Sequence, residues 1–281
     1  MKYMTKEWYL TAQRTSLHLM LEVSKKAESF SEDFFRELYK REEKKWLECG
    51  KELYEFRFED IFPEEFCAEY ADGAPLEESE FEEAKKAYLE QRERAREHFE
   101  NKPEFNPEQE RKNFKRSLLS SINNLKKTLP EDILRKVADI RVLALDVASR
   151  EVKQEITKYC KQNEKRVNSA IEAYRKEYNK QFESNAPSFG SEISLHDCEV
   201  LSCRKKGNDV VLTVDNSGGF TNISQIRMKN CTVIKQDAPL HGACCLYEEI
   251  YKTGEQYEIH FLLQKTELID YIVTTDGLEF N

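Results

Sequence analysis

Apolar residues recur at helical spacing through the first two thirds of the chain. Phe114, Leu118, Ile122, Leu125 and Leu129 follow steps of four, four, three and four, which sets all five on one helix face. Phe35, Leu38, Glu42, Trp46, Cys49 and Leu53 form a second stripe, with Glu42 its one polar member. Ser31 precedes that stripe, and its hydroxyl suits it to take up an unpaired first-turn amide. Thr5 is placed to cap a helix carrying Trp8, Ala12, Leu19 and Val23. A further helix is expected over residues 76–101. Its few large apolar residues (Phe81, Tyr88, Leu89 and Phe99) predict that most of its circumference is exposed. Residues 131–182 contain neither Gly nor Pro. One helix of that length would measure roughly 80 Å, so a break is expected near residues 146–149. Residues 141–148 are apolar nearly all round and are expected at the centre of a bundle.

The pattern changes near residue 190. Two of the nine glycines, Gly50 and Gly73, precede that point, and charged residues thin out after it. Seven short stretches read as antiparallel strands: 194–204, 209–215, 219–224, 227–236, 243–252, 256–264 and 268–275. Gly207-Asn208, Ser217-Gly218-Gly219, Thr253-Gly254 and Asp276-Gly277 read as turns. The chain is therefore read as α+β, with an N-terminal all-helical bundle followed by a C-terminal antiparallel β barrel or sandwich. The expected domains are 1–188, helical, and 190–281, β-rich. Pro187 and Gly190 make residues 185–190 the expected junction.

Composition narrows the setting. Charged residues make up 35% of the 281, yet aromatics reach 11%, more than a disordered chain carries. No apolar stretch approaches the roughly 20 residues of a membrane span, and the opening shows no secretory h-region. A cytoplasmic chain without membrane attachment is expected. Its eight cysteines then read as free thiols, most of them buried, rather than as disulfides. The net charge of −9 argues against nucleic acid as a partner. That charge is unevenly spread. Residues 58–84 hold eleven acids and no base, while residues 111–130 hold Arg111, Lys112, Lys115, Arg116, Lys126 and Lys127 and no acid. The acidic run is a candidate surface for a basic protein partner. The basic run is a candidate surface for phosphates, although solvated or mutually neutralised charge is the favoured reading of both.

Several segments are familiar. Met1-Lys2-Tyr3-Met4-Thr5-Lys6-Glu7-Trp8-Tyr9, Ile140-Arg141-Val142-Leu143-Ala144-Leu145, Leu195-His196-Asp197-Cys198-Glu199-Val200, Ser217-Gly218-Gly219-Phe220 and Leu246-Tyr247-Glu248-Glu249-Ile250-Tyr251 resemble an uncharacterised, mainly Gram-positive bacterial family carrying a domain-of-unknown-function label. The resemblance brings no catalytic motif. Leu195-His196-Asp197 also resembles the opening of small β-rich domains in some bacterial immunity-type proteins.

Candidate chemistry is sparse. Phosphate-loop, dinucleotide, zinc-protease and nucleophile-elbow motifs are absent, no catalytic residue is assigned, and no cofactor is expected. His196, Cys198, Cys203 and His260 are the alternative metal set, with His241, Cys244 and Cys245 as further donors. Zinc asks for four such N or S ligands in a tetrahedron, but the ligand spacing typical of zinc sites is missing. Cys198 with His196 is the one local thiol–base pair. The competing structural reading has His196 or Asp197 fixing a turn while the cysteines pack. Asp146, inside an apolar run, is read as a structural carboxylate with Arg141 and Arg150 as neighbours. A non-enzymatic binding or interaction protein, immunity-like by resemblance, is favoured over a metal- or thiol-dependent enzyme sited in the β domain.

Overall fold

The computed structural model describes residues 1–66, 70–71, 74–75, 78–101, 104–182, 193–219 and 221–281. The expected junction at residues 185–190 lies outside them. In chain order the elements are α1 (Lys6–Ala12), β1 (Glu22–Val23), a 3-10 turn (Lys25–Glu28), α2 (Glu32–Glu55), α3 (Phe58–Ile61), β2 (Tyr70–Ala71), β3 (Ala74–Pro75), α4 (Glu78–Glu100), α5 (Pro107–Thr128), α6 (Glu131–Leu134), α7 (Ile140–Leu143), β4 (Val147–Ala148) and α8 (Arg150–Phe182). Eight strands follow: β5 (Glu199–Lys206), β6 (Asp209–Asp215), β7 (Gln225–Lys229), β8 (Thr232–Gln236), β9 (Cys244–Thr253), β10 (Gln256–Gln264), β11 (Leu268–Thr275) and β12 (Gly277–Phe280). No described helix is long and apolar enough to cross a membrane. Two compact units divide the chain. One comprises residues 20–153, and the other joins residues 1–19 to residues 154–281. These boundaries differ from the point where helices give way to strands.

The first unit is helical. Ser31 caps α2 by accepting the Phe34 amide, and Asn106 caps α5 by accepting from Glu108 and Gln109, with Pro107 just inside the helix. The apolar stripes of both helices meet: Leu38, Phe114, Leu118, Val142, Leu145 and Val147 form one buried cluster, with Phe35, Tyr39 and Ile122 packed against it. The α2 stripe stops contributing after its midpoint, where Cys49 and Leu53 are exposed. The break expected near residues 146–149 is present. Asp146 adopts a left-handed φ of 60°, and β4 pairs in parallel with β1. Residues 141–148 are thus largely buried, as a short helix, a turn and a strand. Asp146 itself is exposed and forms no ion pair with Arg141 or Arg150; its backbone carbonyl accepts from Glu22. A left-handed turn favours Asp, Asn or Gly, and this need accounts for its place in an apolar run.

The second unit carries α1, most of α8 and strands β5 to β12. Thr5 caps α1, which ends at Ala12, short of the expected Val23. The strands run β12-β7-β6-β5-β9-β10-β11-β8, and β5 meets β9 at a single register pair, Glu199 with Cys244. Two four-stranded leaves therefore share one core. Val200, Leu212, Ile226 and Met228 come from one leaf, and Ile259, Phe261, Tyr271 and Val273 from the other. This is a sandwich-like arrangement; the barrel option fails because the sheet does not close. Residues 227–236, read as one strand, are two. Asn230, with a φ of 46°, turns the chain between β7, second in the strand order, and β8, at its far end in the other leaf. Asn230 Nδ2 donates to Asp276 at 3.0 Å, pinning this crossing beside the turn into β12. The strand expected at residues 219–224 is irregular where described, and β12 has no counterpart among the seven expected strands. The free side of β9 is covered by α8, where Tyr174 Oη and Gln181 Oε1 accept the Ile250 and Lys252 amides at 2.8 Å each. Such caps block further strand pairing.

Candidate functional site

The residues singled out for chemistry in the β-rich part have separate partners. His196 and Asp197 lie on a turn rather than a strand. Asp197 has a φ of 64°, and the Cys198 amide donates to Leu195 O. His196 Nδ1 contacts the Leu246 carbonyl, and its ring lies 5.2 Å from that of Tyr247. Cys198 is fully buried beneath this turn. The Ser217-Gly218-Gly219 turn closes over it. A Cβ on Gly219 would sit 2.5 Å from Cys198 Sγ and 2.9 Å from His196 O, and one on Gly218 would sit 2.9 Å from Asp197 O. Two of the recognised segments are therefore matched surfaces. Gly219→Ala is expected to lower stability by about 1–3 kcal/mol through overpacking. Denaturant titration checks this, and an unchanged midpoint would show the contact to be slack.

Cys203 Sγ lies 3.6 Å from Tyr271 Oη inside the sandwich, and His241 Nδ1 is bonded to Leu201 O. His260 Nε2 donates to Glu258 at 2.7 Å. Among the described residues, no group of three or more His, Cys, Asp or Glu is placed to share a metal ion. Burial raises the thiols of Cys198, Cys203, Cys244 and Cys245, and takes that of Cys231 to about 11. A raised thiol keeps its proton, whereas a nucleophile or metal ligand needs the thiolate.

Two carboxylates of β9 stand out instead. Glu249 is fully buried and accepts the backbone amides of Lys2, Tyr3 and Met4 at 2.6, 2.9 and 2.5 Å, together with Tyr251 Oη at 2.7 Å. His260 Nδ1 lies 3.8 Å from it, buried and without a hydrogen-bond partner. Burial lowers the pKa of His260, outweighing the pull of Glu258. Glu248 points the other way. It pairs in register with Phe261, a core residue, and lines a 250 Å³ pocket with Tyr174, Arg175, Tyr178, Asn179, Ile193 and Ile250. No described residue bonds to its carboxylate, and burial alone pushes its pKa to about 7.

In the helical unit, a groove of about 450 Å³ runs between α2 and α5. Phe35, Tyr39, Leu118, Leu119 and Ile122 form its floor. Glu32, Arg36, Lys40, Lys115 and Arg141 stand around it. Arg141 is held in place: its Nη2 lies 2.8 Å from Asp139 and 2.9 Å from Glu32, and its guanidinium stacks on Phe35 at 4.1 Å. Arg36 is paired with Glu32 at 3.3 Å. Lys40 and Lys115 form no ion pair with a described residue, nor do Arg111, Lys112, Arg116, Lys126 and Lys127 of α5. By contrast, several described charges of the acidic run are locally matched, with Asp60 on Arg57 at 2.7 Å and Glu64 near Arg92 at 3.9 Å. The sequence showed the basic run; the groove beside it requires α2 and α7 to be in place.

A family model described as "Protein of unknown function (DUF4085)" matches residues 80–268. No curated protein and no solved structure matches the chain.

Proposed function

The chain belongs to the DUF4085 family of proteins of unknown function, and from that premise, which brings no activity with it, we propose that it is a non-enzymatic binding protein whose helical unit takes an acidic, amphipathic segment of a partner protein. The observation that carries this reading is the groove between α2 and α5, where an apolar floor adjoins lysines without counter-ions. Its volume suits one or two apolar side chains, and the free lysines favour carboxylates beside them. Leu119, about half exposed on the groove floor, gives such a segment apolar area to cover. The acidic run at 58–84 is the lesser surface, because part of its described charge is already met within the unit. The metal- or thiol-dependent enzyme gains no support from the separate placements of His196, Cys198, Cys203 and His260.

The test is fluorescence anisotropy with three labelled probes: an amphipathic Leu/Glu helical peptide, polyglutamate, and duplex DNA. The amphipathic peptide is expected to bind best, with Lys40→Glu plus Lys115→Glu weakening it at least about tenfold, or about 1.4 kcal/mol. Equal binding by polyglutamate, preference for DNA, or an unaffected double variant would each overturn the proposal.

A further inference from the structure

Glu248 presents a carboxylate that the fold leaves without a partner. It sits in the middle of β9, on the strand face that also carries the core residues Cys245 and Ile250. Around it stand Tyr174, Arg175 and Tyr178 of α8, the thiols of Cys198 and Cys245, and Phe261 across the strand pair. Arg175 is exposed and forms no ion pair with it. Tyr174 Oη accepts the Ile250 amide and forms no hydrogen bond with Glu248. A half-buried carboxylate without a hydrogen bond is costly, and every other group the strand buries is apolar or bonded. The cost falls away when a cation enters.

The walls say which cation. The Tyr174 and Tyr178 rings stand 6.1 Å apart at an angle of 62°, edge to face, and both line the pocket. Aromatic faces attract organic ammonium groups through the negative potential of the ring. Calcium would need six to eight oxygen ligands and magnesium an octahedral set, while the pocket supplies one carboxylate. The volume of 250 Å³ equals roughly eight waters at about 30 Å³ each, room for a small amine. We infer that the pocket formed by Glu248, Tyr174, Tyr178, Ile193 and Ile250, with the exposed Arg175 and Asn179 also lining it, binds a small organic ammonium ion, with Glu248 as its counter-ion and the tyrosine rings as its walls. This site lies in the strand-bearing unit and is independent of the groove between α2 and α5.

Binding an ammonium ion fixes Glu248 as the carboxylate. Near neutral pH, where the free site is partly protonated, binding must therefore release a proton to the buffer. The experiment is calorimetric titration of the full chain with benzylamine, n-butylamine and tetramethylammonium. Benzyl alcohol and n-butanol are the uncharged counterparts. The expected result is binding of at least one ammonium ion at about pH 8, weakened at least about tenfold at about pH 5.5, where Glu248 holds its proton. Proton uptake by buffers of different ionisation enthalpy should appear near pH 7. Glu248→Gln should abolish binding, and Tyr178→Leu should weaken it. Circular dichroism confirms that each variant is folded; were Glu248→Gln to misfold, the pH dependence and Tyr178→Leu decide. Failure of all three cations to bind, equal binding by the alcohols, or undiminished binding by folded Glu248→Gln overturns the inference.

Discussion

Glu249→Ala is expected to destabilise the strand-bearing unit by about 3–5 kcal/mol. The carboxylate is completely buried and collects four donors: the amides of Lys2, Tyr3 and Met4 and the hydroxyl of Tyr251. Removing it strands those donors, and each one left unsatisfied in the interior costs about 1–3 kcal/mol. The loss is less than the sum because water can reach Lys2 and Tyr3. The segment also anchors α1. Met4 and Trp8 pack with Val167 of α8, and Trp8 meets Tyr247 edge-on at 4.9 Å. Releasing residues 2–4 therefore exposes the apolar contacts behind them. Glu249→Gln keeps a carbonyl acceptor but turns an amide donor toward other donors, so it should fall between wild type and Ala. Denaturant unfolding followed by tryptophan fluorescence gives both values. A change under about 1 kcal/mol for Glu249→Ala would mean the segment is held by its apolar contacts alone.

The importance of this residue was only partly visible in the chain. Leu246-Tyr247-Glu248-Glu249-Ile250-Tyr251 places two acids in succession inside an apolar strand. Because neighbouring side chains point to opposite faces, one of the two must face the core side. That signal was present in the sequence. Its resolution was not: the partners of Glu249 come from residues 2–4, nearly the whole chain away, and backbone amides leave no mark on composition. The helix caps at Thr5 and Ser31 were legible because their partners lie within three residues. Strands β6, β10 and β11 were legible from alternation and bounding turns. Asn230 was not, since a single left-handed residue splits an apparently continuous strand and sends β8 to the far leaf. His196, Cys198, Cys203 and His260 are alike in chemistry but have different neighbours, and which neighbours they have is settled by register and turns. The β-bulge between Leu262 and Leu263 shows the scale of the difficulty. One extra residue exchanges the faces of everything beyond it.

Glu248→Gln is expected to stabilise the protein at about pH 8 and to leave it nearly unchanged near pH 4.5. The carboxyl rises from its ordinary 4.5 to about 7 on folding. A raised acid pKa means that the folded state holds the proton more tightly, so stability is lost as pH climbs from 4.5 through 7. Each pH unit of that window contributes about 1.4 kcal/mol, for a ceiling of roughly 3 kcal/mol above pH 7. Glu248 is half-buried and opens onto its pocket, so water recovers part of that ceiling and a gain of about 1–2 kcal/mol is expected. Wild-type stability alone cannot isolate the effect. His260, whose pKa is lowered by burial, works in the opposite sense. It costs nothing above its ordinary value near 6.5 and destabilises the fold as pH falls below it. The difference between wild type and Glu248→Gln removes His260 from the comparison, because both proteins carry it. Thermal melts across about pH 4.5 to 8.5 should then show a difference that grows from near zero to its full size between pH 5 and 7. A difference that is flat across that range would place the Glu248 carboxylate in water, and a destabilised Gln variant at pH 8 would show that its charge is met by a partner.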